Sequence, residues 1–166
     1  MRKTVILLLA ALMTLAGCDK IDNKAVTSYA VRIDLGSDAL WATYGVSGVG
    51  DYRVFDRVKG LPSNFPYNVN TYTGYGGVLL IMGLDSSDGS YAPIAYDLAC
   101  PVENSSSVTV AVDAGNFDAV CAKCGSRFDV LQGMGGPLRG VALTNKVGMR
   151  VYKVRPSNGG YIITNK

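Results

Sequence analysis

The sequence predicts an all-β protein, an antiparallel sandwich or barrel-like domain, from three observations. Short apolar runs recur along the chain, and clusters of Gly, Asn, Asp, Ser or Pro separate nearly all of them. No apolar stripe of helical period and useful length follows residue 27. Asn158-Gly159-Gly160 lies between two such runs, where a closing hairpin would put it. Regular short strands with turn signals suit a sandwich or a barrel.

The runs can be justified in order. Tyr29 to Leu35 alternates with period two, as a strand with one buried face does. Val78 to Met82 is continuously apolar, which fits a strand buried on both faces. Tyr91 to Leu98 and Val108 to Val112 follow, then Phe117 to Val120 and Arg127 to Leu131. Val147 to Arg155 and Tyr161 to Thr164 complete the expected strands.

Residues 44 to 76 differ. They are rich in glycine and tyrosine and hold Pro62 and Pro66. We expect a long excursion whose aromatic side chains, Tyr44, Tyr52, Phe55, Phe65, Tyr67, Tyr72 and Tyr75, pack on one another over a sheet edge. A binding lip is the alternative. No internal repeat is present.

The N-terminus has its own logic. Arg2-Lys3 forms a positive start, and Val5 to Leu15 is an apolar run. That run is too short to span a bilayer, which needs roughly 20 residues. It ends in Leu15-Ala16-Gly17-Cys18. Small residues before a cysteine at this place resemble the lipobox of bacterial lipoproteins. The resemblance implies a signal peptide over 1–17, acylation of Cys18, a polar tether over 18–27 and a single β domain over 28–166. It also implies a cell-envelope location, lipid-anchored at the periplasmic face or the cell surface, with the bilayer as a partner. The chain carries 16 basic and 13 acidic side chains. Setting aside Arg2 and Lys3 leaves 14 against 13, a balance that argues against nucleic acid as a partner.

Cys121-Ala122-Lys123-Cys124-Gly125-Ser126 is the segment richest in chemistry. Two thiols at C-x-x-C spacing can reach one metal ion. Gly125 suits a tight turn, and backbone amides near Gly125 and Ser126 could donate to thiolate sulfurs. Cys100 lies upstream on a loop stiffened by Pro101. With Cys18 committed to lipid, three thiols remain, and a fourth ligand would have to be an oxygen. Glu103, three residues after Cys100, is the nearest candidate.

Ala99-Cys100-Pro101-Val102, then Cys121 to Asp129, is similar to the two ligand loops of Rieske iron–sulfur domains. So is Gly133-Met134-Gly135-Gly136-Pro137-Leu138, which stands where that family has a loop covering its cluster. The resemblance covers roughly residues 78 to 166, with the ligand loops at about 97–137, and it implies that Val141-Ala142-Leu143 and Met149 to Val154 are strands returning to the base domain. It implies a two-iron, 2Fe–2S cluster and electron transfer with a redox or envelope partner. It also implies that Val102 and Cys124 stand at the two histidine positions, and Ser105 and Lys123 at those of the loop-linking disulfide. The chain has no histidine at all, so the standard ligand set, two Cys on one iron and two His on the other, is incomplete. Arg2-Lys3 is not the twin-arginine signal that exports folded, cluster-loaded proteins.

Three states of the site remain open: a cluster with altered ligands, zinc held by three thiolates and an oxygen, and no metal with two thiols paired. The last, with no cofactor, is the expected one. Hydrolytic chemistry is disfavoured, because the absence of histidine removes the commonest general base. Ser126 lacks the flanking pattern of a nucleophile elbow. Asp85-Ser86-Ser87-Asp88-Gly89 reads as a hairpin turn rather than a calcium loop. The function expected is a membrane-anchored lipoprotein of electron-transfer ancestry with an altered or lost cluster. The alternative is a non-catalytic structural or interaction lipoprotein.

Overall fold

The computed structural model describes residues 20–85, 87–132 and 134–165. The expected signal peptide and the expected lipidation site, Cys18, lie outside these residues. Eleven strands and two short helices follow one another among the described residues. They are β1 (Val31–Leu35), α1 (Asp38–Tyr44), β2 (Tyr52–Phe55), β3 (Tyr72–Thr73), β4 (Val78–Leu84), β5 (Tyr91–Asp97) and β6 (Val110–Asp113). Then come β7 (Asp118–Cys121), β8 (Arg127–Asp129), β9 (Pro137–Arg139), α2 (Val141–Asn145), β10 (Val151–Ser157) and β11 (Gly160–Thr164). The protein is all-β, and its strand ladders are antiparallel.

Seven strands form one sheet in the order β2-β4-β5-β10-β11-β1-β3, which curls into a nearly closed barrel. Arg57 stitches the gap between its edges: Nη1 donates to the carbonyls of Asn68 and Thr71, each at 3.1 Å. The other four strands form a second sheet, β6-β7-β8-β9.

β4 explains the architecture. Val78, Leu80 and Met82 point into the barrel core with Ile33, Leu35, Phe55 and Ile163. Leu79 and Ile81 point the other way, into a second core with Tyr96, Val110, Ala119, Phe128 and Met149. A strand shared by two cores must be apolar on both faces, hence its unbroken run. β1 faces a core on one side only and is buried at alternate positions. The Asn158-Gly159 turn joins β10 to β11 with both residues at positive φ, 41° and 91°, as a two-residue hairpin of primed type requires. Asp85 to Ser90 closes the β4–β5 hairpin, with Asp85 Oδ1 accepting the Ser87 amide at 2.8 Å.

Two expectations are corrected. Val141 to Leu143 is not a strand but part of α2. Gly140, at φ 80°, turns the chain out of β9, and the Ala142 N–H reaches the hydroxyl of Ser126 at 3.1 Å. Lys146, left-handed at φ 54°, then ends the single turn of helix. The 44–76 excursion also contains structure of its own, β2 and β3. Its aromatic packing centres on Phe65, whose ring lies edge-on to Tyr44, Phe55 and Tyr67 at centroid distances of 4.8–5.2 Å. Tyr75 instead stacks on Tyr29, and Tyr52 and Tyr72 are exposed.

Residues 20–27 lie against the body of the domain. The Asp22 N–H donates to the Lys146 carbonyl at 2.8 Å, and the Gly148 N–H donates to the Asp22 carbonyl at 3.0 Å. Val26 is fully buried, and Arg150 Nε donates to its carbonyl at 3.0 Å. The Thr27 N–H reaches Asn104 Oδ1, on the Cys100 loop, at 3.1 Å.

Candidate metal centre

The second sheet carries one half of the site. β7 ends at Cys121, the chain turns through 122–126, and β8 returns. The turn is pinned by the Gly125 N–H on the Cys121 carbonyl and the Cys121 N–H on the Ser126 carbonyl, both at 2.9 Å. Gly125 sits at φ 67°, the left-handed geometry that glycine adopts without strain. This turn directs the side chains of Cys121 and Cys124 to one side. The other half comes from the loop after β5. Its Cys100 N–H donates to the Val108 carbonyl, and its Cys100 carbonyl accepts from Asn104 N–H, each at 2.9 Å.

The three sulfurs of Cys100, Cys121 and Cys124 converge within 4.8 Å of one another. Cys100 Sγ lies 3.7 Å from Cys124 Sγ, and all three thiols are free. Cys100 and Cys121 are fully buried at the end of the second core, while Cys124 is half-buried. A disulfide needs about 2.0 Å between sulfurs. Two sulfurs on one tetrahedral zinc-type ion, each at about 2.3 Å from it, are separated by about 3.8 Å. The Cys100–Cys124 spacing is too long for a bond between the sulfurs and leaves room for an ion held by both.

The thiols are not equivalent. Burial pushes Cys100 up to about 12, against hydrogen bonds from the Glu103 and Val102 amides. Burial would also raise Cys124, but the hydroxyl and the amide of Ser126 and the neighbouring thiols Cys121 and Cys100 outweigh it and lower the Cys124 value. Ser126 is fully buried and lies 3.2 Å from Cys124 Sγ. In the thiol form Cys124 Sγ–H donates to the Ser126 oxygen, which also accepts the Ala142 N–H, and with Cys124 ionised the Ser126 hydroxyl can turn its proton to the sulfur. Gly140 makes this approach possible: a Cβ there would sit 2.9 Å from Ser126 Cα.

Glu103 does not join the sulfurs. Its carboxylate pairs with the Lys123 ammonium from the other loop, and this partner keeps Lys123 protonated above its usual range. The two loops are thus clasped by an ion pair. Val102 packs, partly buried, against the second core. In the Gly-Pro segment, Gly135 abuts Tyr96 and Met149, and the chain that backs the cysteine turn is Gly140 to Ala142.

One bracing residue has no obvious mark in the sequence. Asp97, fully buried, accepts from the amides of Tyr75, Gly76 and Ala99 at 2.9, 3.0 and 2.7 Å and from the Tyr152 hydroxyl. It ties the start of the Cys100 loop to the 74–76 glycine turn and to β10. A carboxylate at the end of an apolar strand, three residues before a cysteine, is the only signal. Arg127 likewise anchors the outgoing strand of the cysteine turn, with Nη1 at 2.8 Å from Asp118 and Nη2 at 3.0 Å from Asp113.

No protein-family model matches the chain, and no curated protein sequence matches it. Geometry therefore defines the class: an all-β domain of two sheets with a three-thiol centre assembled from two loops.

Proposed function

We propose that this chain is a lipid-anchored protein of the bacterial cell envelope whose Rieske-like domain holds one thiophilic metal ion on Cys100, Cys121 and Cys124 and serves as a structural or interaction module rather than an enzyme. The observation that carries the reading is the convergence of three free thiols from two loops at metal-type spacing.

A two-iron cluster fits these residues poorly. It spreads its four ligands over two irons, in pairs. Here three sulfurs close on a single point, no imidazole exists, and the fourth family position is the apolar Val102. The two-loop layout supports descent from an electron-transfer domain that has lost its cluster. A zinc-type ion fits better: three thiolates supply charge and softness, and an ion of this kind needs no redox partner. When bound, the ion would fix the Cys100 loop to the β7–β8 turn, adding its binding energy to the fold.

The test is metal and sulfide content of protein purified from its own host, with thiols counted in parallel. One ion per chain without acid-labile sulfide is expected. Iron with sulfide and visible colour would restore the electron-transfer reading. A metal-free chain with two of the three thiols oxidised would overturn the metal reading.

A further inference from the structure

The surface around α2 and β9 carries an unexplained combination of exposed groups. Ile21, Met134, Leu138, Val141 and Leu143 are large apolar side chains, 40–61% exposed. They belong to segments held side by side. The Asp22 N–H binds the Lys146 carbonyl at the end of α2, Asn23 Nδ2 donates to the Met134 carbonyl, and Ile21 lies alongside Gly136. Lone exposed apolar residues need no explanation, but several on adjoining segments mark a surface that meets something.

The charge there is mostly positive. Residues 134 to 148 contain Arg139 and Lys146 and no acidic residue. The adjoining 20–24 segment adds Lys20 and Lys24 against Asp22, whose Oδ1 accepts the Lys24 N–H at 2.8 Å. Apolar side chains set among basic ones suit an anionic bilayer surface, with alkyl groups entering the headgroup layer and cations meeting phosphate.

The position of the expected anchor selects this occupant. Cys18 precedes Lys20 by two residues. Two residues span at most about 7 Å of chain. The docked segment leaves no slack after that, because Asp22 is already tied to Lys146 and Gly148. A domain held so closely brings this face, to which Ile21 itself belongs, next to the lipid.

We infer that the Ile21, Met134, Leu138, Val141 and Leu143 face is a membrane-seating surface that orients the domain on an anionic bilayer. The inference rests on the lipid-anchor reading above. It makes the anchor more than a leash: the α2 end of the domain, next to the cysteine turn, faces the bilayer.

The test uses the acylated protein in vesicles of phosphatidylethanolamine doped with phosphatidylglycerol, read by amide hydrogen exchange, with intact mass reporting acylation. Relative to the same chain freed of its lipid, amides of 138–146 should slow by about tenfold, and those of α1, which packs on β1 and β11, should not change. Replacing Leu138→Asn and Leu143→Asn together, at exposed positions, should abolish the slowing while the acyl mass persists. Acylated protein with unchanged exchange at 138–146 would overturn the seating surface alone. An unmodified Cys18 in protein from the host would overturn the anchor reading and this inference with it.

Discussion

Cys100 and Cys124, separated by 24 residues in sequence, bring their sulfurs to 3.7 Å, and Cys121 completes the group. A modest sidechain movement would join the pair in a disulfide. Metal-free protein treated with a mild oxidant should therefore form a Cys100–Cys124 bridge and leave Cys121 as the free thiol. Peptide mapping reads the connectivity. A metal-loaded sample should resist the same treatment, because its sulfurs are engaged.

Proton binding gives the centre a pH signature. Ions bind thiolates, so loading should release protons and affinity should rise with pH. Calorimetry in buffers of different ionisation enthalpy counts the protons.

The metal-free fold should respond to pH in the opposite sense. Burial raises Cys100 from 9.0 to about 12, so the folded state keeps a proton that the unfolded state gives up. The stabilising effect of this burial is complete below about pH 9 and is lost as pH rises toward 12. Burial, with the Asp97 carboxylate adding to it, raises Tyr152 too, and this acts in the same direction. Unfolding midpoints should fall across that window, and Cys100→Ala should flatten the slope whatever it does to absolute stability.

Asp97 should be the most sensitive polar residue of the frame. Asp97→Ala strands the amides of Tyr75, Gly76 and Ala99 and the Tyr152 hydroxyl in the interior. A loss of about 3–5 kcal/mol in unfolding free energy is expected, since each unmet buried donor costs about 1–3 kcal/mol and some will find water. Denaturant titration checks it.

The Glu103–Lys123 clasp should matter far less. Lys123 is largely exposed, and solvent screens such a pair. Glu103→Gln should leave metal stoichiometry unchanged, because its carboxylate faces Lys123 rather than the sulfurs. Loss of metal in that variant would make Glu103 a ligand.

Much of the fold is legible before any coordinates. The alternation at 31–35, the unbroken apolar run of β4 and the Asn158-Gly159 turn each reflect one local physical cause, and each stands where its pattern puts it. Other elements depend on partners distant in sequence. The family resemblance makes Val141-Ala142-Leu143 a strand, and it becomes the helical turn α2 because Ser126 captures the Ala142 amide beside Gly140. α1 has a proper Ser37 cap, yet its seven residues are too few to show a helical period. The thiols are visible from C-x-x-C spacing, whereas the Asp97 brace and the Lys123 clasp join residues that only the folded chain brings together. Residues 18 to 27 read as a short polar tether after the expected lipidation site. Burial of Val26 and the hold of Arg150 on its carbonyl place the described part, from residue 20, on the domain surface.

X-ray absorption at the metal edge, on protein from its own host, tests the central claim most directly. Three sulfurs at about 2.3 Å around one ion, with a single lighter neighbour, is the expected shell. The Cys124→Ser variant should lose one of those sulfurs. A spectrum with a second metal atom close by, or with fewer than three sulfurs in the unaltered chain, would contradict the three-thiolate centre.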